Sequence, residues 1–407
     1  MTKLHPYKKY HPITYDYVRE LPDGWELLPN IAVFQERIDR GHINEELLSV
    51  TIKKGVIRQS DVDIKKDSSN EDKSKYKLIK VGDIAYNKMR MWQGALGYSE
   101  YQGISSPAYV ILKPKMKINP RYFHYMFRTT FYTNYSKRFS YGIVDDQLSL
   151  RYTDFKRMYS IVPPLDVQNS LVNYLDKKNS EIDKFIKNKE KLIELLEEER
   201  KEMIDKMITS FDNALTNKMP LKYLVKLVSD LSNKMSEDET YLALENIESW
   251  TGKIDLSIGN SEFESTVKRF KSTDVLFSKL RPYLAKVVVP EFKGVCVSEI
   301  LVLRPSKMID KEFLFYKLIS RRFIDLVDTS TYGSKMPRAS YDFIGKVEIE
   351  YPIDKDLQKD IVKNIRNKEL KIEKLKQKFR AEIESIKEYR ETLITEIVTG
   401  NRGLSNS

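Results

Sequence analysis

Two short patterns in the sequence come close to catalytic motifs. Glu199 and Lys201 have the Glu-x-Lys spacing of many metal-dependent nucleases. They lie in a Lys- and Glu-rich stretch with heptad spacing, where such triplets are ordinary solvated charges. The run Val162-Pro163-Pro164-Leu165 lacks the polar residue before Pro-Pro and the aromatic residue after it that would bond and stack a flipped base in an amino-methyltransferase. We interpret the two patterns as a helix surface and a helix entry.

Motifs for cofactors and metals are also missing from the sequence. It contains no G-x-x-x-x-G-K-[ST] phosphate loop and no glycine-rich dinucleotide turn. The four histidines, His5, His11, His42 and His124, have no metal-ligand spacing, and His124 stands in an aromatic helix where packing is the expected role. The sequence therefore predicts a chain without catalytic activity, cofactor or metal.

Polar and aromatic residues on turns beside the predicted strands are the candidates for contacting DNA. Loops can reach base edges, and Arg, Lys, Gln and Asn carry the donors that read them. The candidates in the first half are Lys88, Arg90, Trp92, Gln93, Tyr141, Asp145 and Gln147, with Lys137 and Arg138 as phosphate clamps. Those in the second half are Lys279, Arg281, Tyr283, Tyr332, Ser334, Lys335 and Arg338.

A Lys-x-Arg pair recurs in both halves, as Lys88 with Arg90 and Lys279 with Arg281. The alternative to base reading is that these residues anchor their strand through carboxylates. Recurrence of the pair in both halves favours a phosphate or scaffold role over the reading of one particular base. Gly142 and Gly333 are expected to permit tight turns.

Composition is consistent with a polyanionic partner. The 407 residues include 70 Lys and Arg against 59 Asp and Glu, a formal charge of +11, with 25 Tyr and 17 Phe. A basic protein without such a partner would also fit this balance. Cys296 is the only cysteine, so we expect no disulfide framework. Without a secretory signal or an apolar run of roughly 20 residues, the sequence predicts a cytoplasmic protein of two or three domains.

The chain is an internal duplication. The segment ending in Asp83 matches the one ending in Asp274, an offset of 274 − 83 = 191. The same offset pairs Gly103 with Gly294, Lys113-Pro114 with Arg304-Pro305, Ile118 with Ile309, Tyr125 with Tyr316, and Tyr141-Gly142 with Tyr332-Gly333. The offset then becomes 190, pairing Gln168 with Gln358, Ile182 with Ile372, Ile193 with Ile383, and Arg200 with Arg390. A period this long indicates two copies of a domain with its connector.

Each copy ends in a long stretch without Pro or Gly, in which apolar residues alternate at spacings of three and four. Such spacing is typical of coiled coils. The first stretch contains Ile182, Phe185, Leu192 or Ile193, Leu196, Met203 and Met207. The second contains Ile372, Leu375, Phe379, Ile383, Ile386, Leu393 and Ile397, and Lys189 stands where copy two has Phe379. We interpret Lys189 as a register-setting residue.

The predicted fold class is α+β, with two tandem α/β domains, each followed by a long helix. The boundaries are 1–165 for the first domain, 166–210 for its helix, 211–352 for the second domain, and 353–407 for the second helix and tail. Each helix is the obvious partner of the other. Parallel and antiparallel pairing are both topologically possible, and we expect antiparallel pairing. The alternative is a helix that joins separate chains.

The same order of domains and helices resembles the specificity subunits of type I restriction–modification enzymes over nearly the whole chain. The matching segments are Leu21-Pro22-Asp23-Gly24-Trp25, Leu48-Ser49-Val50-Thr51 through Gly55-Val56, Lys75-Tyr76-Lys77 through Gly82-Asp83-Ile84-Ala85-Tyr86-Asn87-Lys88-Met89-Arg90, Ser105-Ser106-Pro107-Ala108-Tyr109-Val110, and Pro163-Pro164-Leu165 with Gln168. Copy two departs from this pattern at the last junction, reading Tyr351-Pro352-Ile353 with Gln358 displaced by two positions.

The resemblance implies that each domain reads one half of a split double-stranded DNA site and that the helices act as a spacer. It also implies two methyltransferase subunits and motor-nuclease subunits as partners, which would hold S-adenosylmethionine, ATP and Mg²⁺. Two other functions stay open. One is a coiled-coil adaptor that binds proteins, and the other is a self-sufficient restriction enzyme, which the missing methyltransferase motif disfavours.

Overall fold

The computed structural model describes residues 4–15, 17–52, 54–62, 72–144, 147–211, 214–258, 266–333 and 335–404. They divide into two compact units. Unit 1 comprises residues 1–188 and 381–407, and unit 2 comprises residues 189–380. None of the helices in these described stretches is long and apolar enough to cross a bilayer. Cys296 is buried and forms no disulfide.

The first copy consists of short strands interspersed with helices and ends in a long helix. Its strands are β1 (Leu4–His5), β2 (Tyr10–Tyr15), β3 (Val18–Pro22), β4 (Glu26–Pro29), β5 (Phe34–Glu36), β6 (Leu48–Thr51), β7 (Gly55–Arg58), β8 (Lys77–Ile79), β9 (Ile84–Asn87), β10 (Leu96–Tyr98), β11 (Gly103–Ser105), β12 (Tyr109–Pro114) and β13 (Tyr159–Val162). Its helices are α1 (Asn30–Val33), α2 (Pro120–Arg128), α3 (Thr130–Phe139), α4 (Tyr152–Phe155) and the long α5 (Leu165–Thr209).

The second copy repeats most of this order. Its strands are β14 (Thr216–Pro220), β15 (Val225–Val228), β16 (Leu231–Ser232), β17 (Thr240–Leu242), β18 (Val267–Phe270), β19 (Val275–Ser278), β20 (Val287–Val288), β21 (Gly294–Cys296), β22 (Ile300–Pro305) and β23 (Glu348–Pro352). Its helices are α6 (Leu221–Leu224), α7 (Lys311–Ile319), α8 (Arg321–Thr329), α9 (Tyr341–Ile344) and the long α10 (Lys355–Val398). A last strand, β24 (Gly403–Leu404), pairs with β1 in unit 1.

The duplication is visible in the sheets. In unit 1 the main antiparallel sheet has the order β10-β9-β12-β5, and in unit 2 the order is β20-β19-β22-β15. The bounds of β9 and β19, of β12 and β22, and of α2 and α7 all differ by 191. From α4 and α9 onward the difference is 189, and for the first residues of α5 and α10 it is 190. Short insertions therefore fall in the loops, while the framework is preserved.

A buried ion pair fixes the turn that precedes the central strand of each sheet. In unit 1 the Asp83 carboxylate accepts from the Lys80 backbone N–H at 2.8 Å and from Arg37 Nε at 2.7 Å. This hydrogen bond with Asp83 raises the pKa of the Arg37 guanidinium. In unit 2 Asp274 is likewise fully buried and pairs with Arg304 Nε at 2.7 Å. Both carboxylates thus have the partners that a buried charge requires.

A buried glutamine joins each globular part to its long helix. Gln168 Nε2 donates to the Pro163 carbonyl at 2.7 Å, and its Oε1 accepts from the Asn119 N–H at 2.8 Å. Gln358 makes the same contacts, donating to Pro352 O at 2.8 Å and accepting from the Asp310 N–H at 2.7 Å. The junction of copy two therefore has the same hydrogen bonds despite its different sequence.

The two long helices pair antiparallel in each unit, as predicted. In unit 2, Arg200 Nη2 lies 2.6 Å from Glu369, and the Lys189 ammonium lies 4.4 Å from the Phe379 ring centroid. Rising residue numbers in α5 thus meet falling numbers in α10. In unit 1, Asp183 pairs with Arg390. The predicted fold class, with two α/β parts and an antiparallel helix pair, is confirmed.

Two of the predicted seam residues, Phe185 and Leu375, are wrong, and of the alternatives Leu192 and Ile193 the structure favours Ile193. Phe185, Leu192 and Leu375 have exposed fractions of 38%, 41% and 45%. On α5, the neighbouring residues Ile186 and Ile193 are more buried. On α10, Lys376 takes the inward position. It is 6% exposed and pairs with Glu197 and Glu373. Where two apolar residues are adjacent, heptad spacing alone leaves a one-residue ambiguity, and a long Lys side chain can bury its apolar stem.

Candidate nucleic-acid interface

In unit 1 the segment after β9 holds the first candidates. A 3-10 turn, Met91–Gln93, ends at Gly94 with a φ of 83°, a conformation that favours glycine. Met91 is fully buried and anchors this turn, and Trp92 Nε1 donates to the Met89 carbonyl at 3.2 Å. Arg90 and Gln93 are exposed on it. The fold thus presents Arg90 and Gln93 to solvent from a rigid backbone.

The last turn of α3 lies against this segment. The Lys137 ammonium is 5.0 Å from the Trp92 ring centroid, within cation–π range. The neighbouring Arg138 is exposed, and its guanidinium stacks on the Tyr17 ring at 4.8 Å. The structure therefore brings together Lys137 and Trp92, two candidates that are far apart in sequence.

The loop that follows α3 closes on itself. Tyr141 and Ser149 exchange two backbone hydrogen bonds of 3.0 and 2.9 Å. The Tyr141 ring is 73% exposed and faces the Arg151 guanidinium at 5.3 Å, and Gln147 is exposed. A Cβ on Gly142 would lie 2.7 Å from the Gln147 carbonyl oxygen, so the close approach of these two loop segments requires a glycine. Asp145 lies outside the described residues.

Lys88 joins these segments through its backbone. Its N–H donates to Ala108 O at 3.1 Å, and its carbonyl accepts from the Leu150 N–H at 2.9 Å. Desolvation, followed by the charge of the nearby Lys77, lowers the pKa of the half-buried ammonium. The backbone of Lys88 is therefore part of the scaffold, and its side chain is less accessible than that of Arg90.

In unit 2 one carboxylate lies beside two of the candidates. Glu299 lies 3.8 Å from Lys279 Nζ and 3.0 Å from Arg338 Nε. The Ala339 N–H donates to the Lys279 carbonyl at 2.9 Å, as Leu150 does to Lys88 in unit 1. This arrangement supports the carboxylate-anchored alternative for Lys279.

Arg281 and Tyr283 occupy the turn that corresponds to Met91–Gln93. Arg281 is exposed, with a φ of 49°, and its N–H donates to Pro337 O at 2.8 Å. Tyr283 is 45% exposed, and its carbonyl accepts from Trp250 Nε1 at 3.2 Å. The left-handed backbone at Arg281 is strained for a residue with a Cβ, and the loop contact holds it in place.

The loop from Tyr332 to Arg338 matches the one after α3. Tyr332 and Arg338 exchange backbone hydrogen bonds of 3.2 and 3.1 Å. Tyr332 is 66% exposed, Lys335 is exposed, and Gly333 has a φ of 90°, a conformation that favours glycine. Ser334 lies outside the described residues. In each unit most of the described candidates therefore lie on a turn and on a closed loop. The remaining candidates lie directly after β9 and at the end of α3 in unit 1, and directly after β19 in unit 2.

Exposed apolar residues at the loop tips are part of this surface and were not among the sequence candidates. Ile143 and Val144 are 96% and 53% exposed, and Met336 is 46% exposed. Apolar side chains can contact the thymine methyl group and the sugar edges of a groove. An apolar residue next to a turn glycine in a polar loop is the sequence signal that would have identified them.

Residues of the Glu-x-Lys segment, and His124, make contacts with neighbouring parts of the fold. Arg200 pairs with Glu369, while the Lys201 ammonium bonds Glu198 at 3.1 Å and faces the Trp250 ring. His124 Nδ1 accepts from the Tyr98 N–H at 3.2 Å, and desolvation lowers the His124 pKa to about 3, so the ring packs in its neutral form. Across the described ranges, His, Cys, Asp and Glu form no group arranged to hold a metal ion.

No family model matches the chain. The type I restriction enzyme EcoDI specificity subunit of Escherichia coli is 27% identical over 132 residues, covering 31% of this chain and 29% of that protein. A chain from a solved structure concerned with complex assembly and conformational transition of the type I R-M system is 12% identical, with a TM-score of 0.64 over 93% of this chain and 98% of the other. The HsdS subunit from Thermoanaerobacter tengcongensis is 13% identical, with a TM-score of 0.52 over 96% and 100%. The chain therefore resembles a type I specificity subunit in part of its sequence and has the fold of the HsdS subunit over nearly all of its length.

Proposed function

We propose that this chain is the DNA-specificity subunit of a type I restriction–modification complex and reads a two-part DNA site, one half with each globular part. It has no catalytic role of its own in this proposal. The observation that carries it is the repeated surface, in which the same framework presents different side chains in the two units. Repetition with variation is what a reader of two different half-sites requires.

The framework contacts are conserved between the copies while the exposed side chains differ. Leu150 and Ala339 donate to the equivalent carbonyls of Lys88 and Lys279, both at 2.9 Å. The closed loops span residues 141–149 in one copy and 332–338 in the other, and they differ in length and in side chains. Under this proposal Gln93 and Gln147 read bases in unit 1, and Tyr332 and Lys335 do so in unit 2.

Cations on the same surfaces would hold phosphates. Arg90 and Arg138 are exposed in unit 1, as is Arg281 in unit 2. Phosphate contacts position a protein on DNA without carrying sequence information. Lys88 and Lys279 have scaffold roles in this scheme, because one is partly desolvated and the other lies beside Glu299.

The partners would carry out the chemistry. We infer that two methyltransferase subunits and motor-nuclease subunits bind this chain in the cytoplasm, and that S-adenosylmethionine, ATP and Mg²⁺ belong to them. The specificity subunit of a restriction enzyme among the relatives, and a neighbour from work on assembly of the type I R-M system, support this inference.

Methylation profiling of genomic DNA from cells that carry the chain with its partners tests the proposal. We expect an interrupted motif with one methylated adenine in each strand. A complex that binds every duplex equally, or not at all, at low salt would favour the coiled-coil adaptor instead. Methyl transfer or cleavage by the purified chain alone would contradict the non-catalytic role.

A further inference from the structure

A cavity of about 550 Å³ lies in unit 2 beside β14, α7, α8 and β23. At the equivalent place in unit 1 the space is about 10 Å³. Seven lining positions of the two sites correspond through the duplication, which makes the comparison direct. They are Leu27 with Lys218, Met126 with Lys317, Phe131 with Arg322, Tyr132 with Phe323, Tyr135 with Leu326, Tyr159 with Glu348, and Ile161 with Glu350.

The site in unit 1 is filled by a segment of the chain itself. Tyr15 and Tyr17 come from the β2–β3 hairpin, and their rings lie 4.7 Å from Tyr159 and 4.4 Å from Tyr135. The Tyr15 hydroxyl also bonds the Tyr135 hydroxyl. Two aromatic side chains at the tip of a hairpin are therefore what this part of the fold accommodates.

Among its described residues, copy two has no counterpart of that hairpin. Only residues 210–215 separate the end of α5 from β14, whereas β2 and β3 together span residues 10–22. Tyr15 and Tyr17 would correspond to residues inside α5, at the 191 offset. As a result Leu326 is 45% exposed at the position where Tyr135 is 2% exposed, and Phe343 beside it is 38% exposed.

The open site also has an excess of cations, with Lys218, Lys317, Arg322 and Lys346 in its lining against Glu348 and Glu350. Lys317 replaces a buried methionine and is itself only 7% exposed, with its ammonium over the Phe211 and Phe313 rings at 4.8 and 5.5 Å. Desolvation lowers the Lys317 pKa to about 8. Lys218 is paired with Glu348 at 2.6 Å, while the cavity-lining Arg322 and Lys346 have no carboxylate partner among the described residues.

We propose that this cavity receives a segment of a partner protein that carries an aromatic side chain beside a carboxylate. The ring would cover Leu326 and Phe343, as Tyr15 and Tyr17 cover the site in unit 1, and the carboxylate would meet Lys317 and Arg322. The proposal rests on the proposed function in that the partner is a methyltransferase subunit of the complex. A DNA backbone would leave the apolar floor uncovered, so a protein segment fits the site better.

Cysteine labelling tests the proposal in the intact chain, because its only native cysteine, Cys296, is fully buried. Leu326→Cys places a thiol in the cavity, and Leu231→Cys, at a leucine that is 60% exposed in the same unit, is the matched control. Maleimide modification is followed for the free chain and after addition of the methyltransferase subunit, duplex DNA or inorganic phosphate.

We expect the methyltransferase subunit alone to abolish labelling at position 326 and to leave labelling at position 231 unchanged. Protection by DNA alone, or by phosphate alone, would overturn the proposal in favour of a nucleic-acid or small-anion site. An assembled complex with unchanged labelling at position 326 overturns the docking site but not the proposed function. Failure of the chain to bind the subunit at all overturns both.

A second measurement separates the two parts of the contact. Leu326→Asp should weaken binding of the methyltransferase subunit by about tenfold or more, as loss of a central apolar contact does, whereas Leu231→Asp should not. Lys317→Met restores the residue of copy one and should also weaken binding while leaving the fold intact. Wild-type affinity in both cavity variants would contradict the proposed contact.

Discussion

Charged side chains at equivalent positions of the two copies make the same contacts with the backbone. Lys77 Nζ donates to the Tyr109 carbonyl at 2.9 Å, and Lys268 Nζ donates to the Ile300 carbonyl at 2.9 Å. Ile300 corresponds to Tyr109 by the 191 offset. Residues that repeat in this way hold the framework, so specificity should depend on those that differ, such as Gln147.

Gln147 and Lys137 should give different results when they are changed to alanine. Gln147 is exposed on the closed loop, so Gln147→Ala should relax or abolish recognition of one half-site. Lys137→Ala should weaken binding evenly across sequences and lower the slope of log affinity against log salt by about one unit. Titration of the assembled complex with duplexes that vary one base pair at a time measures both. If the effect of Lys137→Ala depended on the DNA sequence, Lys137 would be reading bases, and its role as a phosphate clamp would be contradicted.

His124 should make stability depend on pH. Its pKa falls to about 3 in the folded chain because burial disfavours the charged ring, while the unfolded ring keeps its ordinary value. The unfolded state therefore binds the extra proton as pH falls below that ordinary value, and stability decreases by up to about 1.4 kcal/mol per pH unit. Urea denaturation at pH 7 and pH 5 should show a smaller pH difference for His124→Gln than for the wild type. An identical difference in both proteins would show that other groups cause it.

At the scale of elements, the long helices combine regular seams with a few polar contacts. Ile182, Ile372 and Ile383 are buried in the seam, whereas Lys189 faces Phe379 and Arg200 pairs with Glu369. Polar residues at seam positions restrict which register the helices adopt. We therefore retain the hypothesis that Lys189 sets the register of the pair.

The helix pair should act as a ruler for the gap between the half-sites. The ladder from Ile182 to Met207 covers 207 − 182 = 25 steps, or roughly 38 Å at about 1.5 Å per residue, close to one turn of DNA. Adding one heptad to both α5 and α10 keeps the seam and lengthens it by roughly 10 Å, about three base pairs. Because three pairs also rotate the far half-site by roughly 100°, the extended chain should lose its parental site and accept a wider gap only weakly.

Duplexes that differ only in the gap measure this change. Adding two residues to each helix serves as the control, because it breaks the seam and should unfold the junction. A well-folded, heptad-extended complex that still prefers the parental gap at full affinity would rule out the ruler.

At the scale of the whole molecule, the two globular parts should act as independent readers. Each unit has its own buried core and its own set of candidate residues. Replacing residues 211–351 with the equivalent domain of a relative should therefore change one half of the methylated motif and leave the other half intact. Methylation profiling of cells carrying the chimera measures this, with the parental chain as control. A change in both halves, or in neither, would contradict the two-reader model.

The sequence by itself determined the duplication, the two long helices and the absence of known catalytic motifs. These features depend on patterns such as the 191-residue offset, the heptads and the glutamines at positions 168 and 358. Such patterns can be recognised in the sequence without knowledge of the structure. Only the tertiary structure decided which side chains meet, as with Glu299 beside both Lys279 and Arg338, or Tyr15 beside Tyr135 at a separation of 120 residues. The tertiary structure also decided that Tyr15 and Tyr17 fill the site in unit 1, whereas the corresponding cavity in unit 2 is open. Periodicity specifies a helix face only to within one residue and says nothing of partners distant in sequence, because those contacts arise from packing.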